Sequence, residues 1–246
     1  MFYPSTYPTG NWEPAGLGQE DIWFEAQDGT RLHGWLFAHQ QPRATVLYLH
    51  GNAGNLSHRG SLLALLRNQL EISIFIPDYR GYGRSAGTPT VSGVLADARA
   101  ARKALALRQK VAEADVMLMG RSLGGAIAVQ LAAELNPPAL ILESTFNSLQ
   151  AMAEEHYALL SWVVPATKLD SETAITAYSG PLLQSHGDAD NIIPLALGEA
   201  LFAAAPGAKQ FILIPGADHN HPQPNSYYRT LAGFLEAHTG ATRLTD

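Results

Sequence analysis

Short, almost wholly apolar runs punctuate the chain: Thr45–Leu49, Ile72–Ile76, Val116–Met119, Ala139–Leu142, Pro181–Gln184 and Phe211–Ile214. Each is followed by a glycine, a proline or a polar residue. Continuous apolar runs of this length predict strands buried on both faces of a parallel sheet, because an exposed face would require alternation. Helical periodicity fills several of the gaps, at Leu62–Leu66, Val94–Leu107 and Ile127–Leu135. Ahead of the first run, Ile22, Phe24 and Ala26 alternate with polar neighbours, Asp28-Gly29 turns the chain, and Leu32–Phe37 returns. That pattern predicts a β-hairpin. The expected fold class is therefore α/β: a mostly parallel sheet with an antiparallel opening hairpin and helices on both faces.

The first 18 or so residues, rich in Pro, Gly and Tyr, read as an arm lying on the surface. No repeat, linker or low-complexity tract interrupts the 246 residues, so a single domain spanning 1–246 is expected. One stretch departs from the strand–helix rhythm. Between Leu142 and Pro181 the chain carries Phe146, Leu149, Met152, Tyr157, Trp162 and Val163 without a strand signature. A structureless loop of that length is uncommon in a compact domain. A small cap insertion at about 144–180, one or two helices over the C-terminal ends of the strands, is expected.

Composition narrows the function classes. The chain has no cysteine, which removes a thiolate nucleophile, an iron–sulfur cluster and a disulfide framework. Its net charge of −6 argues against a nucleic-acid partner, whose binders usually present a basic face. The basic cluster Arg99, Arg102, Lys103, Arg108 and Lys110 lies in a helical stretch and reads as a solvated helix face. No apolar run approaches the ~18 residues of a membrane span, and Met1–Ser5 lacks the charged and apolar regions of a signal peptide. A cytoplasmic location is the expectation. No metal or other cofactor is implied: there is no His-Glu-x-x-His, and Asp188-x-Asp190-Asn191 lacks the glycine and glutamate of a calcium loop.

The strongest local signal is Gly120-Arg121-Ser122-Leu123-Gly124. In Gly-x-Ser-x-Gly a serine sits on a tight strand-to-helix turn that exposes its hydroxyl. A second match, Gly83-Arg84-Ser85-Ala86-Gly87, has neither a strand directly before it nor a helix directly after it. Ser122 has both and is the expected nucleophile. The same second loop carries Gly81-x-Gly83-x-x-Ala86, a weak dinucleotide fingerprint, but it runs on into Gly87-Thr88-Pro89 instead of opening a helix.

A serine hydroxyl needs a base, and the base an orienting acid. On this scaffold the acid and then the histidine follow the serine along the chain. His219 stands in a loop just past the last strand, with His221 two residues on as the competitor; His156 and His186 are poorer fits. Asp190 and Asp188 follow the Pro181–Gln184 strand and Glu143 follows the Ala139–Leu142 strand. Asp190 is preferred because Asn191–Pro194 turns the chain into the next helix; Asp188 and Glu143 stay open. An oxyanion hole requires two N–H donors. Leu123, next after the nucleophile, supplies one, and the glycine-rich loop His50–Asn55 the other, through Asn52 or alternatively Ala53.

Over about Asp21 to Leu235 the chain resembles the α/β-hydrolase fold superfamily. It is most similar to the compact serine hydrolases that include the acyl-protein-thioesterase-like α/β-hydrolase-domain proteins. Five segments in order carry the resemblance: His50–Asn55, Asp78–Ser85, Gly120–Gly125, His186–Asp190 and Gly216–Asn220. The resemblance implies Ser122 as nucleophile, Asp190 as acid and His219 as base, and a structural role for the Asp78–Ser85 loop. Residues 143–180 match no pattern of that family and are expected to carry substrate choice. The expected activity is hydrolysis of a small-molecule acyl ester or thioester through an acyl-enzyme. A peptidase or amidase with the same triad, or a non-catalytic binding module keeping the fold, is the alternative.

Overall fold

The computed structural model describes residues 2–157 and 169–239, with Tyr157 described by its main chain only. Strands β1 (Tyr3–Pro4), β2 (Glu20–Glu25), β3 (Arg31–Phe37), β4 (Thr45–Leu49) and β5 (Ala53–Gly54) lead into helix α1 (Gly60–Leu70) and strand β6 (Ser73–Asp78). Helix α2 (Val91–Gln109), strand β7 (Val116–Arg121), helix α3 (Leu123–Leu135) and strand β8 (Leu140–Glu143) follow. Helices α4 (Leu149–Tyr157) and α5 (Ser171–Ile175), strand β9 (Leu182–Gly187), helix α6 (Leu195–Ala204), strand β10 (Lys209–Ile214) and helix α7 (Asn225–His238) complete the chain.

Eight strands form one sheet in the order β10-β9-β8-β7-β4-β6-β3-β2. β2 and β3 pair antiparallel, β3 meets β6 antiparallel, and every other neighbour is parallel. This is the mixed sheet expected from the opening hairpin and the apolar runs. All five residues of β4 are buried, because it lies mid-sheet with helices on both sides. Its side chains alternate between the two layers. Leu47 and Leu49 pack with α2, α3, α5 and α6, whereas Val46 and Tyr48 pack with α1 and α7.

The strand order sets where the loops that carry the candidate residues meet. β4 is flanked by β6 on one side and β7 on the other, all three parallel. The chain therefore leaves β4 in one direction and later returns to its opposite side. At such a reversal the loops beyond the strand ends diverge and leave an opening. The loop after β4 and the turn after β7 meet there.

The amino-terminal segment does lie on the surface, and it is tied down. β1 runs parallel to β5, the Tyr7 N–H donates to the Gly83 carbonyl (2.8 Å), and the Gly83 N–H donates to the Ser5 carbonyl (3.0 Å). The basic helix face needs correction at one position. Arg102 is fully buried, its guanidinium donating to the Glu113 carbonyl. Arg99 and Arg108 are exposed and pair with Glu134 and Glu20. Of the expected cap, α4 opens the stretch and residues 158–168, with Trp162 and Val163, lie outside the described residues. α5 packs against α3 and α6, with Ile175 in the core.

Candidate active site

Ser122 occupies the junction between β7 and α3 with φ 54° and ψ −123°. A non-glycine residue at positive φ costs on the order of 1–3 kcal/mol and persists only where its surroundings over-determine it. Here they do. The Ser122 N–H donates to the Glu143 carbonyl (2.9 Å), and the Thr145 hydroxyl donates to the Ser122 carbonyl (2.8 Å). Gly124 allows the helix start to press on β4: a Cβ there would stand 2.0 Å from the Leu49 carbonyl oxygen. The loop after β4 reaches the turn at Gly51, where a Cβ would sit 3.4 Å from Ser122 Cβ and 3.9 Å from Ser122 Oγ.

Asp190 and His219 come together from the loops after β9 and β10, which are neighbours in the sheet. His219 Nδ1 lies 2.8 Å from Asp190 Oδ2. The other carboxylate oxygen, Oδ1, accepts from the N–H groups of Ile192 (3.0 Å) and Ile193 (2.8 Å). Burial pushes the Asp190 carboxyl up, but His186, His219 and the Ile193 N–H outweigh it and hold the group well below the usual carboxylate range. An ionised carboxylate only accepts, so the His219 proton sits on Nδ1 and Nε2 keeps a free lone pair for accepting another. Both side chains are largely shielded from solvent, His219 at 8% and Asp190 at 6% relative exposure.

The competing residues have other work. Asp188 is exposed and its Oδ1 accepts from the Gly216 N–H (2.6 Å), closing the loop below. Glu143 is buried; burial raises its carboxyl, and its carbonyl holds the Ser122 turn. His221 is exposed, its N–H donating to the Asp218 carbonyl. Ser85 is buried with its hydroxyl donating to the Asp78 carbonyl (2.8 Å) and accepting from the His33 N–H (2.9 Å), which is a structural bond set. The fingerprint glycines of the same loop open no helix; the next one begins at Val91. His156, on α4, meets the Ile192 carbonyl.

Arg121 had no role in the sequence reading, whereas His186, set aside there as a base, is the packed residue its place at a strand end suggests. Arg121 sits at the variable position of the Gly-x-Ser-x-Gly motif, and its guanidinium donates to the His219 carbonyl. It thus ties the histidine loop to the strand that carries Ser122. His186 is fully buried with Nε2 2.8 Å from the Ile193 carbonyl and 3.5 Å from Asp190 Oδ2, so it braces the aspartate turn. For Arg121 only its placement beside the motif serine hinted at this.

Asn52 lies in the loop after β4. The single Tyr82 hydroxyl proton is shared between the Asn52 carbonyl (2.8 Å) and Asn52 Oδ1 (2.9 Å), and Oδ1 also accepts from the Tyr3 N–H (3.2 Å). Leu123 opens α3, where the first N–H groups of a helix have no acceptor within it. Among the described residues no group of three or more His, Asp or Glu side chains is arranged to hold a metal ion. Nor is any described helix long and apolar enough to cross a membrane.

A strand-turn-helix serine after β7 and an Asp–His pair from the neighbouring loops after β9 and β10, all on a mostly parallel sheet, fit one class of protein, and comparison with known proteins agrees. Residues 40–176 match the family model described as serine aminopeptidase, S33. An uncharacterized protein of Mycobacterium tuberculosis is 37% identical over 91% of this chain and 80% of its own length. The α/β hydrolase domain-containing protein WAV2 of Arabidopsis thaliana is 32% identical over 92% of this chain and 82% of its own. The chain belongs to the α/β-hydrolase superfamily. Its fold is shared by the Pyrococcus furiosus esterase Pf2001, with a TM-score of 0.77 at 21% identity, covering 98% of this chain and 99% of that one.

Proposed function

We propose that the protein is a serine hydrolase that cleaves carboxylic esters or thioesters of small molecules through an acyl-enzyme. Ser122 is the nucleophile, His219 the general base, and Asp190 the residue that orients and charges the imidazole. The N–H groups of Asn52 and Leu123 receive the oxyanion. The observation that carries this reading is the 2.8 Å contact of His219 Nδ1 with Asp190, which leaves Nε2 as a base. Arg121 ties that histidine's main chain to the strand ending in the Ser122 turn.

The chemistry follows from those roles. Nε2 takes the hydroxyl proton as Ser122 Oγ attacks the substrate carbonyl. The carbonyl electrons move onto oxygen, where two preset N–H donors meet the charge. The intermediate collapses as His219 returns the proton to the leaving alcohol or thiol. A water molecule, deprotonated by the same nitrogen, then attacks the acyl group and releases the acid. Amide cleavage at the same site is the second reading, favoured by the description of the matching family model.

A fluorophosphonate probe tests the nucleophile and a substrate panel tests the class. The wild type is expected to label and the Ser122→Ala variant not to. p-Nitrophenyl esters of graded acyl length, one acyl thioester and one aminoacyl anilide separate ester, thioester and amide hydrolysis. Labelling that survives Ser122→Ala, or turnover confined to the anilide, would replace this reading.

A further inference from the structure

Beneath the loop after β4 lies a cluster of aromatic side chains whose two hydroxyls and one imidazole nitrogen, His50 Nδ1, face that loop's main chain; the other nitrogen, His50 Nε2, is buried 3.6 Å from Asp78 Oδ1. His50, Tyr79 and Tyr82 are fully buried. Their rings touch one another, with centroids 4.5 Å apart for His50–Tyr79, 5.4 Å for His50–Tyr82 and 5.7 Å for Tyr79–Tyr82. The Tyr79 hydroxyl donates to the His50 carbonyl (2.9 Å). His50 Nδ1 lies 2.7 Å from the Gly51 carbonyl, and the Tyr82 hydroxyl donates to the Asn52 carbonyl at 2.8 Å. A carbonyl only accepts, so the His50 proton sits on Nδ1. Three successive carbonyls are thus held by one rigid cluster.

A trans peptide is planar, with its C=O and N–H pointing in opposite directions. Holding the carbonyls of residues 50, 51 and 52 on the cluster therefore turns the N–H groups of Gly51, Asn52 and Ala53 away from it. Gly51 lies against the Ser122 turn. We propose that Tyr79 and Tyr82, with His50, are positioning residues that preset the N–H donors of the oxyanion site. They touch no reacting atom and act through the peptide planes. This rests on the serine-hydrolase reading above.

The arrangement has a physical purpose. A glycine-rich loop is free to rotate its peptides, and an oxyanion donor that must first rotate loses most of its value. Tyrosine suits the task because a buried ring fixes where its hydroxyl stands, so the bond sets an orientation as well as an energy. Of the two tyrosines Tyr82 has the larger share: its single hydroxyl proton is shared between the Asn52 carbonyl and Asn52 Oδ1, so it fixes on both sides the residue whose N–H the Gly51 carbonyl, held by His50 Nδ1, orients.

The test replaces each tyrosine by phenylalanine, which keeps the packed ring and deletes the hydroxyl. Active-site titration with the fluorophosphonate gives the competent fraction. Tyr82→Phe is expected to lower kcat about 10-fold per titrated site with KM within about twofold, less than the ~10²-fold cost of deleting a donor outright. The inhibition constant of a trifluoromethyl ketone, whose adduct carries the oxyanion, should rise by the same factor, as expected of a transition-state contact. Tyr79→Phe should fall in the same direction by a smaller factor, and it stands in should Tyr82→Phe fail to fold. Tyr178→Phe is the control: it loses a buried hydroxyl bond to the Pro181 carbonyl, at the start of β9, and should leave kcat unchanged. Rate and inhibitor affinity within twofold of wild type in both variants overturn the inference and leave the hydrolase reading standing. A wild type that neither turns over esters nor labels overturns that reading, and the inference with it.

Discussion

Asp190→Asn separates orientation from packing at the site, because the amide has nearly the carboxylate's shape. In the wild type Oδ1 accepts two main-chain N–H groups, from Ile192 and Ile193, and Oδ2 faces His219 Nδ1. An asparagine has one oxygen, and the two N–H donors claim it. Rotating the amide would set its NH₂ against both and forfeit two bonds, at about 1–3 kcal/mol for each buried group left unpaired. The amide NH₂ therefore points at His219. Two donors cannot face each other, so the imidazole proton moves to Nε2, the nitrogen that should accept from Ser122. That wrong tautomer is expected to cost roughly 10⁴ in kcat, about 5 kcal/mol at 1.36 kcal/mol per decade. Asp188→Asn should be nearly silent in rate, since Asp188 serves only the Gly216 N–H among the described bonds. Steady-state hydrolysis of a p-nitrophenyl ester on the Asp190→Asn, Asp188→Asn and Glu143→Gln variants measures the effect, with circular dichroism as the check on folding. A folded Asp190→Asn enzyme within 10-fold of wild type, beside a collapse in either of the others, would refute the tautomer argument.

Three further outcomes follow from the packing and titration of the fold. Ser85→Ala should keep activity within severalfold, yet strand the His33 N–H and the Asp78 carbonyl; at about 1–3 kcal/mol for an unsatisfied buried group, thermal unfolding should drop by several degrees. Gly124→Ala drives a Cβ to 2.0 Å from the Leu49 carbonyl oxygen and should abolish soluble folded protein; Gly233→Ala, with nothing within 4 Å, should raise the melting temperature by a few degrees, and the reverse order would discredit the contact argument. Burial raises the Asp78 carboxyl to about 8, so its contribution to stability is full below an unfolded pKa of about 4 and is lost as pH rises from there through 8. Asp190 behaves oppositely, its share being lost only as pH falls below the ordinary carboxylate range. Burial lowers His50 to about 4 and so adds a slope of opposite sign up to its unfolded pKa; denaturant melts from pH 5 to 8 should therefore show stability changing more negatively with pH in the wild type than in Asp78→Asn, and equal slopes would remove Asp78 as a source.

Much of the fold is legible along the chain because burial on two faces leaves its mark locally. A strand in the middle of a sheet has no polar side, so Thr45–Leu49 reads as a strand and is one, with the same bounds. The Gly-x-Ser-x-Gly at 120–124 is distinguishable from its double at 83–87 by what flanks it, since a strand and a helix announce themselves within a few residues. Bonding partners distant in sequence do not. Arg102 reads as one more charge on a basic helix, but the strand–helix packing buries it against the Glu113 carbonyl. Arg121 is an arbitrary residue of the motif until the order β7-β8-β9-β10 brings His219 within reach of it. Asp188 and Asp190 differ by two positions in the same loop; the turn at 191–194 favours Asp190 along the chain, but that its Oδ2 meets an imidazole while Asp188 caps Gly216 is set by the loops after β9 and β10 meeting. Likewise, the tyrosines of the Asp78–Ser85 loop gain their carbonyl partners because β4 and β6 are neighbours in the sheet. Local periodicity records how deeply a residue is buried; which polar atom it meets there is set by strand order and by contacts across the sheet, and these belong to the assembled chain.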